Sequence, residues 1–202
     1  MKEIKYDLEF CFKGNRTYVH GTDIYNKIIE ILNNEMKDVK IDLSFHGIAK
    51  KNILLSNKKP EDENLIKFVC KYTGGNNERK ILYGIERNHN ITCKYTYLEE
   101  AICQLSNLDF ENKEINLNKD TSYSFIENSV ALNKYLLENL FPEVKGKWYF
   151  TRLQLLDAPT NKIYPLKLVL KANFNFKLTK TEIFVSDKSI GYIYFSLVKE
   201  GQ

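Results

Sequence analysis

The sequence has four cysteines and three histidines and nowhere gathers them into a set. No Cys-x-x-Cys pair occurs. Cys11, Cys70, Cys93 and Cys103 each lie among apolar residues with strand-like spacing, which reads as buried reduced thiols rather than metal ligands or a disulfide framework. His46 sits on the polar face of a strand and His89 in an Asn88-His89-Asn90 turn, both without ligating company, so no metal is expected. A Gly-rich phosphate loop, a Gly-x-Ser-x-Gly elbow and other nucleophile motifs are also missing. Gly74-Gly75-Asn76-Asn77 reads as a hairpin turn with no helix after it, and no cofactor is called for. The N-terminus, Met-Lys-Glu-Ile-Lys-Tyr-Asp-Leu-Glu-Phe, has no apolar signal core, and no run reaches membrane-spanning length. A soluble, cytoplasmic protein is the expectation. One-signed charge is lacking too: the net +4 is mild, so a nucleic-acid partner is allowed but not demanded.

What is present is enough for a substantial core: 43% hydrophobic residues, with 13 Tyr and 12 Phe. A chain of 202 residues suits one large domain or two of about 100. Ile4 to Phe12 alternates with a period of two and predicts a half-buried strand. Val39 to Phe45 predicts another, and Leu65 to Tyr72, Arg79 to Glu86 and Ile91 to Tyr97 predict three more. Lys50 to Asn64 is polar and predicts an exposed excursion. In the second half Ala101 to Leu105 predicts a strand and Asp109 to Lys119 a linker. Lys147 to Leu156, a long alternating run from Leu166 to Leu178, Glu182 to Ser186 and Gly191 to Val198 complete the strands.

The chain is organised around Tyr18 to Leu32, a loop carrying His20 followed by a broadly apolar helix. Thr22 suits its N-cap and Asp23 its positive end, while Ile24, Ile28, Ile31 and Leu32 form a stripe widened by Tyr25, Ile29 and Met36. A second version begins at Phe125, with Ser129 as the matching cap and Pro142 as the stop signal. Laid together, Thr22 meets Ser129, Asn26-Lys27 meets Asn133-Lys134, and His20 meets Glu127. Ile66-Lys-Phe-Val-Cys-Lys71 likewise resembles Leu166-Lys-Leu-Val-Leu-Lys171. These matches predict an internal repeat, with units at 1–98 and 99–202.

A long apolar helix followed by a run of antiparallel strands resembles the hotdog fold, and two copies resemble the tandem, double-hotdog arrangement. The expected class is therefore α+β, with two central apolar helices each wrapped by an antiparallel sheet. A duplicated cystatin-like or other helix-on-sheet unit is the rival. The resemblance implies an acyl-thioester dehydratase, hydratase or thioesterase-like protein. Its substrate would ride on coenzyme A or acyl carrier protein, and its site would lie between the two repeats. It implies His20 and Glu127 as base and acid, with Asp23 or Glu127 activating water in a thioesterase. Gly21 and Thr22 would polarise the carbonyl through first-turn amides, and Arg16 and Tyr18 would contact the substrate or its carrier. The Pro-Gly pair that dehydratases of this family commonly carry at the helix start is missing. A monomeric pseudo-dimer and a homo-oligomer are both compatible. The alternatives from other classes are a non-catalytic duplicated scaffold or binding module, and a nucleic-acid-binding domain using strands such as Lys94-Tyr95-Thr96-Tyr97.

Overall fold

A computed structural model describes residues 3–33, 39–74, 78–159 and 163–199. Met36 and the turn residues 75–77 therefore lie outside the described residues. The chain divides into two compact units, Met1–Tyr97 and Leu98–Gln202.

In the first unit β1 (Lys5–Leu8) and β2 (Phe12–Lys13) precede α1 (Gly21–Asn33). Then follow β3 (Lys40–Phe45), β4 (Lys51–Ser56), a 3-10 turn at Glu63–Leu65, β5 (Ile66–Thr73), β6 (Arg79–Asn90) and β7 (Lys94–Tyr95). The main sheet is antiparallel, in the order β1–β4–β6–β5–β3. Its inner face follows from alternation: Ile41 and Leu43, Ile53 and Leu55, Phe68, Cys70 and Tyr72 are all buried. Ile24, Tyr25, Ile28 and Leu32 of α1 are buried as well. Burial pushes the Tyr25 phenol upward, and the Cys70 thiol adds to it. Gly84 in β6 makes room for the Phe68 ring, since a methyl there would fall 2.1 Å from it.

Four expectations for this unit are corrected. Lys51–Ser56, expected within an exposed excursion, is an interior strand between β1 and β6. Its short apolar core, Ile53-Leu54-Leu55, is masked in sequence by the polar residues around it. The strand expected from Ile4 to Phe12 breaks after Leu8, where Asn52 Oδ1 accepts the Phe10 amide at 2.9 Å and carries the backbone out of the sheet. The strand at Ile91–Tyr97 shrinks to Lys94–Tyr95, which pairs parallel with β2. His89, expected in a turn, is the exposed penultimate residue of β6.

The second unit runs α2 (Glu99–Cys103), β8 (Ser106–Asp109), β9 (Glu114–Leu117), α3 (Phe125–Leu140), β10 (Lys147–Leu155), β11 (Leu166–Phe174), β12 (Leu178–Val185) and β13 (Lys188–Val198). Its antiparallel sheet has the order β8–β9–β11–β12–β13–β10. The strand expected at Ala101–Leu105 is a short helix with Glu99 and Glu100 in its first turn and Ile102 fully buried. The expected linker at Asp109–Lys119 overlaps a hairpin, closed where Asp109 accepts from the Asn112 amide at 3.0 Å and anchored by the buried Ile115 and Leu117. The long run from Leu166 folds back at Asn175-Phe176, both at positive φ, so β12 begins at Leu178. Gly191, at φ 150°, sits where a Cβ would meet the Gln154 carbonyl oxygen at 2.0 Å.

The two units share an element order, in which a helix is followed by successive strands, but not a sheet order. After the helix, the strand sequence across the first sheet is second, fourth, third, first. Across the second sheet it is second, third, fourth, first. The look-alike segments Ile66–Lys71 and Leu166–Lys171 therefore occupy different places: β5 lies beside β3, whereas β11 lies beside β9. Their likeness reflects a shared alternation, which sets faces and not neighbours.

Candidate active site

The polar centre of the first unit is built where β2 and β7 meet the start of α1. β2 and β7 form a parallel ribbon with Lys13 opposite Tyr95, held by Phe12 N donating to Cys93 O and Gly14 N to Tyr95 O, each at 2.9 Å. A disulfide between Cys11 and Cys93 staples the same ribbon, with a Cα–Cα distance of 4.7 Å. This overturns the expectation of four reduced thiols, because two cysteines far apart in sequence become neighbours only through β2–β7 pairing. Cys70 and Cys103 are free. The loop before α1 is tied down by Val19, whose amide donates to Ala49 O at 2.8 Å.

Lys13 leaves this ribbon with its side chain wholly buried. Its ammonium donates to Thr22 Oγ1 at 3.0 Å and Asp23 Oδ1 at 3.1 Å. The Tyr97 ring lies 4.3 Å from it and the Tyr95 ring 5.7 Å, distances that suit cation–π attraction. Tyr95 also donates its hydroxyl to Asp23 Oδ1 at 2.8 Å. His20, only 8% exposed, places Nδ1 2.7 Å from Thr22 Oγ1. The second carboxylate oxygen, Asp23 Oδ2, is buried without a hydrogen-bond partner among the described residues. A buried ammonium–carboxylate pair is tolerated only when its polar atoms are satisfied, so that remaining acceptor is a costly feature of this cluster.

Of the residues singled out in the sequence, His20, Thr22 and Asp23 come together here. Gly21 is the first residue of α1, so the helix begins before Thr22 and Thr22 is no N-cap. Arg16 joins from the side, its guanidinium 5.7 Å from the Tyr97 ring, and Tyr18 is half-buried in the loop. Lys13, Tyr95 and Tyr97 join the cluster from outside the residues that the sequence points to as a site. For the tyrosines the spacing of two was a signal. For Lys13 there was none, because it falls on the polar face of the expected strand.

Glu127 has another task. α3 starts at Phe125, a turn earlier than a Ser129 cap implies, because Ser124 and Glu127 form a capping box. The Glu127 carboxylate accepts from Ser124 N at 2.9 Å and Ser124 Oγ at 2.8 Å. Counted from the helix starts, its counterpart in α1 is Asp23 and not His20.

Each unit also has an open cleft elsewhere. In the first unit a cleft of about 440 Å³ is lined by Ser44, His46, Lys59 and Tyr83. In the second, one of about 230 Å³ lies between α2 and α3, lined by Glu99, Cys103, Lys134 and Glu138. Burial, with help from Glu99, pushes the Cys103 thiol up to about 11, and burial also raises Glu138. Among the described residues no group of three or more His, Cys, Asp or Glu is placed to hold a metal ion, and no helix is long and apolar enough to cross a membrane.

No family model and no curated protein matches this sequence. Solved structures do match in shape. The dehydratase domain of PpsC from Mycobacterium tuberculosis, in complex with C12:1-CoA, aligns over 97% of this chain and 93% of its own with a TM-score of 0.52 at 4% identity. The chain has the hotdog fold. An acyl-ACP thioesterase from Bacteroides thetaiotaomicron aligns over 97% of this chain and 96% of its own, with a TM-score of 0.40 and 7% identity. The dehydratase domain of MlnD from Bacillus amyloliquefaciens covers 90% of this chain and 82% of its own, with a TM-score of 0.38 and 10% identity. Identities this low speak to fold alone.

Proposed function

We propose that this hotdog protein acts on acyl thioesters carried by coenzyme A or acyl carrier protein, as a tandem of two hotdog units at 1–98 and 99–202. The observation that carries the proposal is the buried Lys13–Asp23–Thr22–His20 cluster at the first turn of a hotdog helix. A thioester carbonyl reaching the start of α1 would meet the positive helix end at Gly21 and Thr22. His20 and Asp23 would supply the acid–base pair needed for water loss from a 3-hydroxyacyl thioester, or for activating water in hydrolysis. Arg16 and Tyr18 border the approach. Support for the tandem comes from a dehydratase domain aligning along nearly the whole chain. In this reading Glu127 serves the start of α3.

The experiment offers 3-hydroxyacyl and saturated acyl thioesters of several chain lengths, following enoyl absorbance and thiol release separately. Turnover is expected, and His20→Ala should lower it by about 10²-fold or more. Full activity in His20→Ala would reject His20 as catalyst. A second reading, a non-catalytic acyl-thioester binder, draws on the complete burial of Lys13 and Thr22. It predicts calorimetric binding of acyl-CoA with no product of either kind.

A further inference from the structure

The 440 Å³ cleft of the first unit includes none of Lys13, His20, Thr22 or Asp23 in its lining. Alternation builds it. Leu43, Cys70 and Leu82 are buried on the inner face of β3, β5 and β6, so Ser44, Val69, Lys71, Ile81 and Tyr83 stand on the outer face and line the cleft. Ser44, Val69 and Tyr83 form one row across the three strands. Lys71 stands in the next row, diagonal to both Ser44 and Tyr83, a separation of about 7–8 Å that a lysine side chain spans. His46, just past β3, leans back until its Nε2 lies 3.2 Å from Ser44 Oγ. The loop before β5 adds a wall, where Lys59 pairs with Glu63.

The polar lining is rich in donors and poor in acceptors. Among the described residues of the lining Glu63 is the one carboxylate, and Lys59 neutralises it. Lys71 forms no ion pair among the described residues, even with its cross-strand neighbour Asp42. The Tyr83 hydroxyl has no hydrogen-bond partner among them. Ser44 Oγ has only the His46 contact and one of 3.5 Å to Val69 O, both beyond the ordinary O–H···O range of about 2.5–3.0 Å. An ammonium, an imidazole and two hydroxyls offer more donors than a carboxylate's pair of oxygens accepts. A phosphoryl group presents three strong acceptor oxygens and a negative charge. Beside these donors Val69, Ile81 and the Tyr83 ring supply apolar surface, and the volume falls in the ligand-pocket range of about 300–1,000 Å³. We propose that this cleft binds a small organic phosphate. Its phosphoryl group is held by Lys71, Ser44, His46 and the Tyr83 hydroxyl, and its apolar body lies against Val69 and Ile81.

The test is an NMR titration of the full ¹⁵N-labelled chain with phenyl phosphate, and in separate arms with inorganic phosphate, phenol and benzoate. Phenyl phosphate should bind about tenfold tighter than any of the other three, since it alone joins the full set of acceptors to an apolar body. Its amide shifts should centre on Ser44, His46, Val69, Lys71 and Tyr83 and leave Thr22 and Asp23 in place. Lys71→Met, at a half-exposed position, should weaken binding about tenfold or more, and Tyr83→Phe, which keeps the ring, about threefold. No saturation by phenyl phosphate overturns the proposal, as do shifts centred elsewhere or unchanged affinity in a folded Lys71→Met. Inorganic phosphate binding as tightly would mean an adventitious ion only, and benzoate binding as tightly would reject the phosphate; either overturns it. If the methionine variant does not fold, the ranking of the four probes on the wild type decides. No thioester enters the experiment, so failure of the acyl-thioester reading, seen as absent turnover, is distinguishable from failure of this one.

Discussion

The starts of α1 and α3 solve the same problem in two ways. Both open a buried, largely apolar helix, and both must satisfy amides that have no partner in the first turn. α3 does so locally, with Ser124 and Glu127 three residues apart and exchanging hydrogen bonds. α1 brings in a lysine from β2 and tyrosines from around β7 and buries an ion pair against a histidine and a threonine. A capping box is the inexpensive solution. An imported, buried, charged one is the kind of local cost that proteins carry at functional positions. Under the acyl-thioester proposal, the contrast favours the start of α1 over that of α3 as the candidate site.

The largest way to break this contrast is Lys13→Met, which leaves the partly buried Asp23 carboxylate without its cation. A loss of about 3–5 kcal/mol is expected in urea unfolding. The double variant Lys13→Met/Asp23→Leu should regain most of it, because the stranded charge goes with its partner. If the single variant costs less than Ser124→Ala, the two helix starts are energetically alike.

Next is the staple. Cys11 and Cys93 are separated by 82 residues, and their paired replacement by serine should cost about 2–4 kcal/mol. Amide-exchange protection should fall around β2 and β7 and stay unchanged in β11–β13. Unfolded without reductant, the protein should titrate two thiols, not four. Natively both remaining thiols should react slowly at pH 8, since burial pushes Cys70 up to about 12 and Cys103 up to about 11.

Ser124→Ala removes only a cap and should cost about 1 kcal/mol, with turnover unaffected.

The smallest effect contrasts the buried pair with a half-exposed one in the second unit. Burial pulls Glu182 upward, but hydrogen bonds from Ser189 and Lys171 and the charges of Lys171 and Lys180 outweigh it, so its carboxyl sits below the ordinary 4.5. A depressed folded pKa gives stability that is present above 4.5 and lost as pH falls through the folded value. Glu182→Gln should therefore be less stable than wild type at pH 7 by under about 1 kcal/mol. The gap should close as the solution is acidified below the ordinary glutamate range. A gap that widened on acidification would reverse the sign of the shift.

Much of the fold was legible because alternation and helical stripes are local. β5, β6 and β10 fall where their apolar spacing puts them, and Ile24, Ile28 and Leu32 are the buried face of α1 as their spacing implies. Pro142 follows the end of α3 as a stop signal should. Misreadings came where a few apolar residues sit between lysines, as in β4, or where five residues fit a helix and a strand equally, as at Glu99–Cys103. In the candidate site, His20, Thr22 and Asp23 were legible because they are near neighbours at a helix start.

The sequence by itself determined which faces are apolar, where the two long helices run, and which histidine precedes one of them. Tertiary structure alone decided the different strand orders of the two sheets, the Cys11–Cys93 bond and the inward turn of Lys13. The physical reason is the same for all three. A period of two states which way a side chain points only while its strand stays in the sheet, and never which strand lies alongside. After Leu8 the chain leaves its sheet and pairs with Lys94–Tyr95 instead. A lysine on the wet face of one expected strand thereby becomes the buried cation of another.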